Sequence, residues 1–138
     1  DRPKIKQPKK AWFYDLNTGT LFTAKKGLIP PIEAPSGPLQ NGQPAGVRAY
    51  VLSYVPEPNE SQRFIGFLET TDPRSQGDTS RAGETYASGA KQWGRGKLIR
   101  RVQDKRWFPA DSTMGLAIFE QAFRPNENGE RPYYCPPK

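Results

Sequence analysis

The sequence predicts an α+β domain: a small, mostly antiparallel sheet of four or five strands, one C-terminal helix and long Pro/Gly-rich loops. Three observations carry that expectation. Two apolar runs flank an Asn-Thr-Gly turn at 12–24. The runs GVRAYVLSYV (46–55) and RFIGFLET (63–70) are strand-like in period and composition, and TMGLAIFEQAF (113–123) spaces its apolar residues at helical intervals.

The chain opens with DRPKIKQPKKA (1–11), a Pro-containing arm bearing five positive charges and one negative. It has nothing to bury and reads as a flexible linker ahead of a single β-rich domain at 12–138. WFYDLNTGTLFTA (12–24) then predicts a β-hairpin, because Asn17 and Gly19 are residue types that tolerate positive φ. Residues 25–46 hold five prolines and four glycines. Proline removes ladder donors and biases its predecessor toward extended backbone. A long ordered loop laid over the sheet is expected, pinned by Leu28, Ile29 and Ile32.

In 46–55, Val47, Ala49, Val51 and Val55 alternate with Arg48, Tyr50, Leu52 and Tyr54. Apolar residues on both faces predict a central strand covered on each side, with 63–70 as its antiparallel partner. Within the polar stretch that follows, 79–93 places Ala82, Tyr86, Ala90 and Trp93 near one helical stripe. Gly83 and Gly89 each weaken that short helix by up to about 1 kcal/mol. KLIRRV (97–102) returns to strand character. Asp111 or Ser112 is positioned to cap a helix over 113–123, whose stripe is Leu116, Phe119, Ala122 and Phe123.

Composition bounds the function. Apolar residues make up 34% of 138, below the usual range of about 45–50%, so the core is small. There is no histidine, which removes the commonest general base and metal ligand and every Ser-His or Cys-His arrangement. Cys135 is the sole cysteine, so neither an intrachain disulfide nor a thiolate metal cluster can form. The acidic residues are scattered rather than paired. Gly94-Arg95-Gly96 is too short for a phosphate-cradling loop. Asp15, Asn17 and Thr18 superficially suggest a calcium loop, yet the glycine and terminal glutamate spacing is absent and turn chemistry explains them better. Asn59-Glu60-Ser61 fits a glycosylation pattern that is common by chance. The expectation is a non-enzymatic domain with no cofactor and no metal.

The formal charge is +7, of which 91–106 alone carries +6 and the first ten residues +4, leaving −3 elsewhere. The candidate interaction surface is therefore Lys91, Trp93, Arg95, Lys97, Arg100, Arg101, Lys105 and Arg106. Lysine and arginine beside aromatic rings suit phosphates and stacked bases, but strand alternation equally suits a solvated surface or an acidic protein or lipid partner. Trp107 and Phe108 read as core anchors beside the helix rather than as stacking platforms.

WFYDLNTGTLF, IPPIEAPSGP, GVRAYVLSYV, RFIGFLET, KLIRRVQDKRWFPADSTMG and the closing YYCPPK resemble, in order and spacing, a set of uncharacterised small bacterial (planctomycete-type) envelope proteins. The resemblance spans nearly all of 12–137, and the YDLNTG-x-LF hairpin is its most specific part. It implies a membrane segment upstream of residue 1, with 1–11 as linker and the domain extracytoplasmic. Lys4, Lys6, Lys9 and Lys10 would then lie near anionic headgroups. Relatives often carry extra cysteines around the central hairpin; VLSYVPEPNESQRF has none, so no disulfide or metal role carries over there. The implied function is a non-catalytic interaction or scaffold domain, accessory to an envelope-associated assembly, with an unknown protein partner or a second copy of itself. The competing expectation is a nucleic-acid-binding protein that uses 91–106.

Overall fold

A computed structural model describes residues 9–75 and 94–137. The helical stripe expected over 79–93, together with Lys91, Trp93, Lys4 and Lys6, lies outside the described residues.

The sheet is built from β1 (Lys10–Asp15), β2 (Thr20–Lys25), β3 (Gly46–Ser53), β4 (Phe64–Thr71), β5 (Lys97–Arg100), β6 (Phe108–Pro109) and β7 (Tyr133–Tyr134). Its order is β2-β1-β3-β4-β5-β6, every pairing is antiparallel, and β7 adds to β3. Helix α1 (Thr113–Ala122) follows near the C-terminus. Seven strands exceed the four or five expected. The two additional ones, β6 and β7, are two residues each, too short to show alternation, and exist only through their partners.

The expected hairpin forms as β1–β2, with Trp12 opposite Thr23 and Tyr14 opposite Leu21. Gly19 supplies the positive φ of its turn, at 73°. β3 is the buried central strand. Its outer edge is shared: β1 pairs with 46–48 and β7 with 52–53. Between them the Trp12 indole donates to the Cys135 carbonyl at 2.8 Å, and the Cys135 amide donates to the Val51 carbonyl at 2.8 Å.

β3 and β4 pair with a bulge, Tyr50 facing Phe67 while Val51 faces Ile65, so Gly66 is the extra residue. The bulge keeps Phe64 and Phe67 on one face and Ile65 and Leu68 on the other. Glycine is required there by close approach: a Cβ on Gly66 would sit 2.7 Å from Leu52 Cδ1 and 3.0 Å from Ala122 Cβ.

Two apolar layers result. On one face, Leu52, Phe67 and Ile99 pack with Ala110, Ile118 and Ala122, supported by Phe108, Phe119 and Phe123. This layer seats α1. Ser112 caps the helix, its hydroxyl accepting from the Gly115 amide at 3.1 Å. The buried helical residues are Gly115, Ile118 and Ala122, so the seated stripe is rotated from the expected one and Leu116 is only half-buried. On the opposite face, Val47, Ala49, Val51 and Leu68 are buried beneath Trp12, Tyr14, Leu16, Ile65 and Trp107.

The loop between β2 and β3 is ordered over the sheet, and of its three expected pins Ile32 holds while Leu28 and Ile29 do not. Leu28 and Ile29 are 42% and 76% exposed. The loop is held by paired hydrogen bonds of 2.7 and 2.8 Å between Ile32 and Gly46, by buried Pro30, and by the hairpin turn. Asn17 donates to Ser36 Oγ, the Gly37 carbonyl and the Pro38 carbonyl at 3.0–3.2 Å. Asp15 accepts from the Ser36 hydroxyl at 2.7 Å and from the Asn17 and Ser36 amides. The turn residues that superficially suggested a calcium loop thus serve as loop anchors.

Candidate functional site

The period of two that makes β5 a strand divides the basic segment between two faces. Lys97 points to the α1 side, where its Nζ lies 3.4 Å from the buried carboxylate of Glu69. Arg100 points the opposite way, its guanidinium 5.1 Å from the Trp107 ring centre, with Nη1 donating to the Asp104 carbonyl. Burial draws the Arg100 pKa below the ordinary guanidinium value, against the attraction of Tyr14 and Asp104. Arg101 pairs with Asp104 at 2.9 Å and donates to Gln121 Oε1 at 3.1 Å. That hydrogen-bonded pair raises Arg101 and holds Asp104 below the usual carboxylate range. Lys105 and Arg106 are exposed, with Arg106 5.5 Å from the Phe108 ring centre, and Arg95 is half-buried. The described members of the segment do not form one surface.

Trp107 and Phe108 also separate. Phe108 anchors the helix-side core, as expected of both, whereas Trp107 packs on the opposite layer. There it joins residues from β1 and the β3–β4 connection that sequence reasoning passed over. Trp12 and Tyr14 project together from β1, and the Arg63 guanidinium lies 5.4 Å from the Trp12 ring centre. Such ring–guanidinium contacts hold both planes in fixed orientation. The alternation of WFYDL carried the signal: it sets Trp12 and Tyr14 on one face and Phe13 on the other.

The charge on this face, among the described residues, is one-sided. Its strand residues include Lys10, Lys25 and Arg100, with Arg63 beside them, and no carboxylate. Both acidic residues found within strands, Asp15 and Glu69, project to the other side and are buried. Lys10 stands directly across from Lys25, and Lys9 is exposed. At the edge of the face, Leu16, Pro31, Pro44, Leu98 and Trp107 surround an open cleft of about 620 Å³ floored by Val47. Its lining is mainly apolar, with Gln43, Thr70 and Thr71 contributing polar side chains.

A second cluster lies on the α1 side beyond the helix. Arg48 sits 5.1 Å from the Tyr50 ring centre and 5.8 Å from that of Tyr134, donating to the Tyr134 hydroxyl at 3.0 Å. Tyr50 donates to Glu69 at 2.7 Å. These groups satisfy one another, except that Arg48 Nε is buried without a hydrogen-bond partner. Cys135 is half-buried beside β7, and burial pushes its thiol above the ordinary value, against the pull of Arg63. Among the described residues, no group of three or more Asp, Glu or Cys is arranged to hold a metal, and no helix is long and apolar enough to cross a membrane.

Compared with known proteins, the chain matches no family model, no curated protein and no solved structure.

Proposed function

We propose that this chain is a non-catalytic interaction domain that engages its partner on the sheet face turned away from α1. One observation carries the reading: that face bears ring and guanidinium planes in two groups, Trp12 with Arg63 beside Tyr14 on β1, and Trp107 with Arg100 across β3 and β4. Planes fixed by mutual stacking lose little freedom on contact, and Trp, Tyr and Arg are the residues that dominate binding energy at interfaces. The resemblance to anchored envelope proteins supports an accessory role in an envelope-associated assembly. The alternative role for 91–106 as a nucleic-acid surface loses support, because Lys97 and Arg101 are committed to Glu69 and Asp104.

The test is site-specific photo-crosslinking in cells producing the natural full-length protein. A photoreactive residue replaces Thr23, exposed on the proposed face, or Ala117, exposed on α1. Adducts forming from position 23 and not from 117 support the reading. Equal adducts from both positions, or adducts from 117 alone, overturn it.

A further inference from the structure

We infer that the partner of this face is a single-stranded nucleic acid, a deduction that rests on the face proposed above and assigns its ligand class. The residues concerned are Trp12, Tyr14 and Trp107 as stacking rings and Lys10, Lys25, Arg63 and Arg100 as phosphate contacts. Of the seven, only Arg100 belongs to the basic segment that composition singles out.

Charge complementarity is the first support. Four cations lie on or beside a sheet face whose strand residues include no carboxylate, while the strand carboxylates Asp15 and Glu69 are turned to the other side. A polyanion meets attraction from these cations and no fixed repulsion from the strands themselves, with Asp104 sharing the field of Arg100. Ring spacing is the second. Trp12 and Tyr14 are two residues apart on one face of β1, which places their side chains about 6.6 Å apart along the strand. Successive bases of an unstacked single strand reach such a pair of rings, as when bases spread over the aromatic side chains of a sheet. A duplex keeps its base faces inside its own stack and cannot use them. An acidic protein or a lipid headgroup would use the cations, but only unstacked bases present a succession of flat faces to the two rings. The Trp107–Arg100 pair lies across β3 and β4 from Tyr14.

The experiment titrates the full chain into a fluorescein-labelled DNA or RNA strand of about 15 nucleotides and follows anisotropy. Four phosphate contacts on a single strand predict a salt slope near −3, hence an affinity loss of about fiftyfold between about 50 and 200 mM salt. Lys10→Glu with Lys25→Glu, both exposed positions, reduces affinity by at least about tenfold and roughly halves that slope. Tyr14→Leu keeps an apolar side chain over the core yet costs about tenfold with the slope unchanged, which separates stacking from charge. Arg124→Glu with Arg131→Glu, exposed residues after α1, leaves binding as it was.

Three results overturn the inference. One is no anisotropy change at about 50 mM salt. Another is binding that survives the Lys10/Lys25 reversal in a protein whose circular dichroism is unchanged. The third is tighter binding to heparin or to phosphatidylglycerol vesicles than to the oligonucleotide. Protein adducts from position 23 without oligonucleotide binding would remove the nucleic acid and leave the interaction face standing.

Discussion

Replacing Gly66 by alanine tests whether the β4 bulge sets the seating of α1. The added Cβ falls 2.7 Å from Leu52 Cδ1 and 3.0 Å from Ala122 Cβ. Ordinary carbon contacts begin near 3.5 Å, so the first overlap is about 0.8 Å and the second about 0.5 Å. Leu52 is fully buried and Ala122 belongs to the helix, so neither neighbour yields without disturbing the layer built on Phe67 and Ile99. Overpacking of this kind costs about 1–3 kcal/mol, while the reduced freedom of the unfolded chain returns about 0.4–1 kcal/mol. The net expectation is a loss of about 1–2 kcal/mol, a drop in Tm of a few degrees for a domain of this size. Urea unfolding followed by tryptophan fluorescence measures it as a lower midpoint at unchanged slope. The mechanism has its own check in the Leu52→Ala background, where the clashing methyl is gone. There Gly66→Ala costs at least about 1 kcal/mol less than alone, a coupling between touching side chains. Strict additivity, or a Gly66→Ala protein as stable as the parent, refutes the reasoning.

Three further outcomes follow from groups with defined partners. Burial opposes ionisation of Asp15, but the Ser36 hydroxyl and the Asn17, Ser36 and Thr18 amides together outweigh it and hold its pKa below the ordinary value. A depressed folded pKa gives stability that is complete above the unfolded value of about 3.9 and is lost as pH falls below it through the folded value. Urea midpoints measured from pH 5 downward therefore fall more steeply for the parent than for Asp15→Asn. Ser112→Ala removes the cap of α1 and lowers stability by about 1 kcal/mol, read as a melting shift. The Cys135 thiol reacts with iodoacetamide at pH 8 more slowly than a cysteine peptide, and equal rates would contradict its raised pKa.

The larger elements were legible because each repeats its signal over many residues. The expected strand at 46–55 is β3 at Gly46–Ser53, and the expected helix at 113–123 is Thr113–Ala122. What escaped was decided by contact at a distance. Nothing in Phe108–Pro109 or Tyr133–Tyr134 marks a strand until β5 or β3 lies beside it. Gly66 looks like a weak point in a strand, and only α1 overhead makes it a requirement. Of the apolar residues expected to pin the loop, Ile29 is exposed, while Ile32 holds it by backbone pairing with Gly46. The described part of the basic segment divides for a related reason: neighbours in a strand face opposite ways, so Lys97 and Arg100 part. The rings at 12 and 14 become part of a surface only when Arg63, 51 residues beyond Trp12, is laid against it.

The shared edge of β3 bears on how the protein is made. Trp12 and Cys135, 123 residues apart, meet in the gap between β1 and β7. Contacts of such long separation slow folding, because the intervening chain must be closed before they form. On the ribosome, β1 to β4 have emerged well before the last segment, yet the β3 edge at 52–53 waits for Tyr133 and Tyr134. Synthesis must pass residue 135 before that edge is sealed. Until then the nascent chain carries an open strand beside Val51, a site for a chaperone or for pairing with a neighbouring polypeptide.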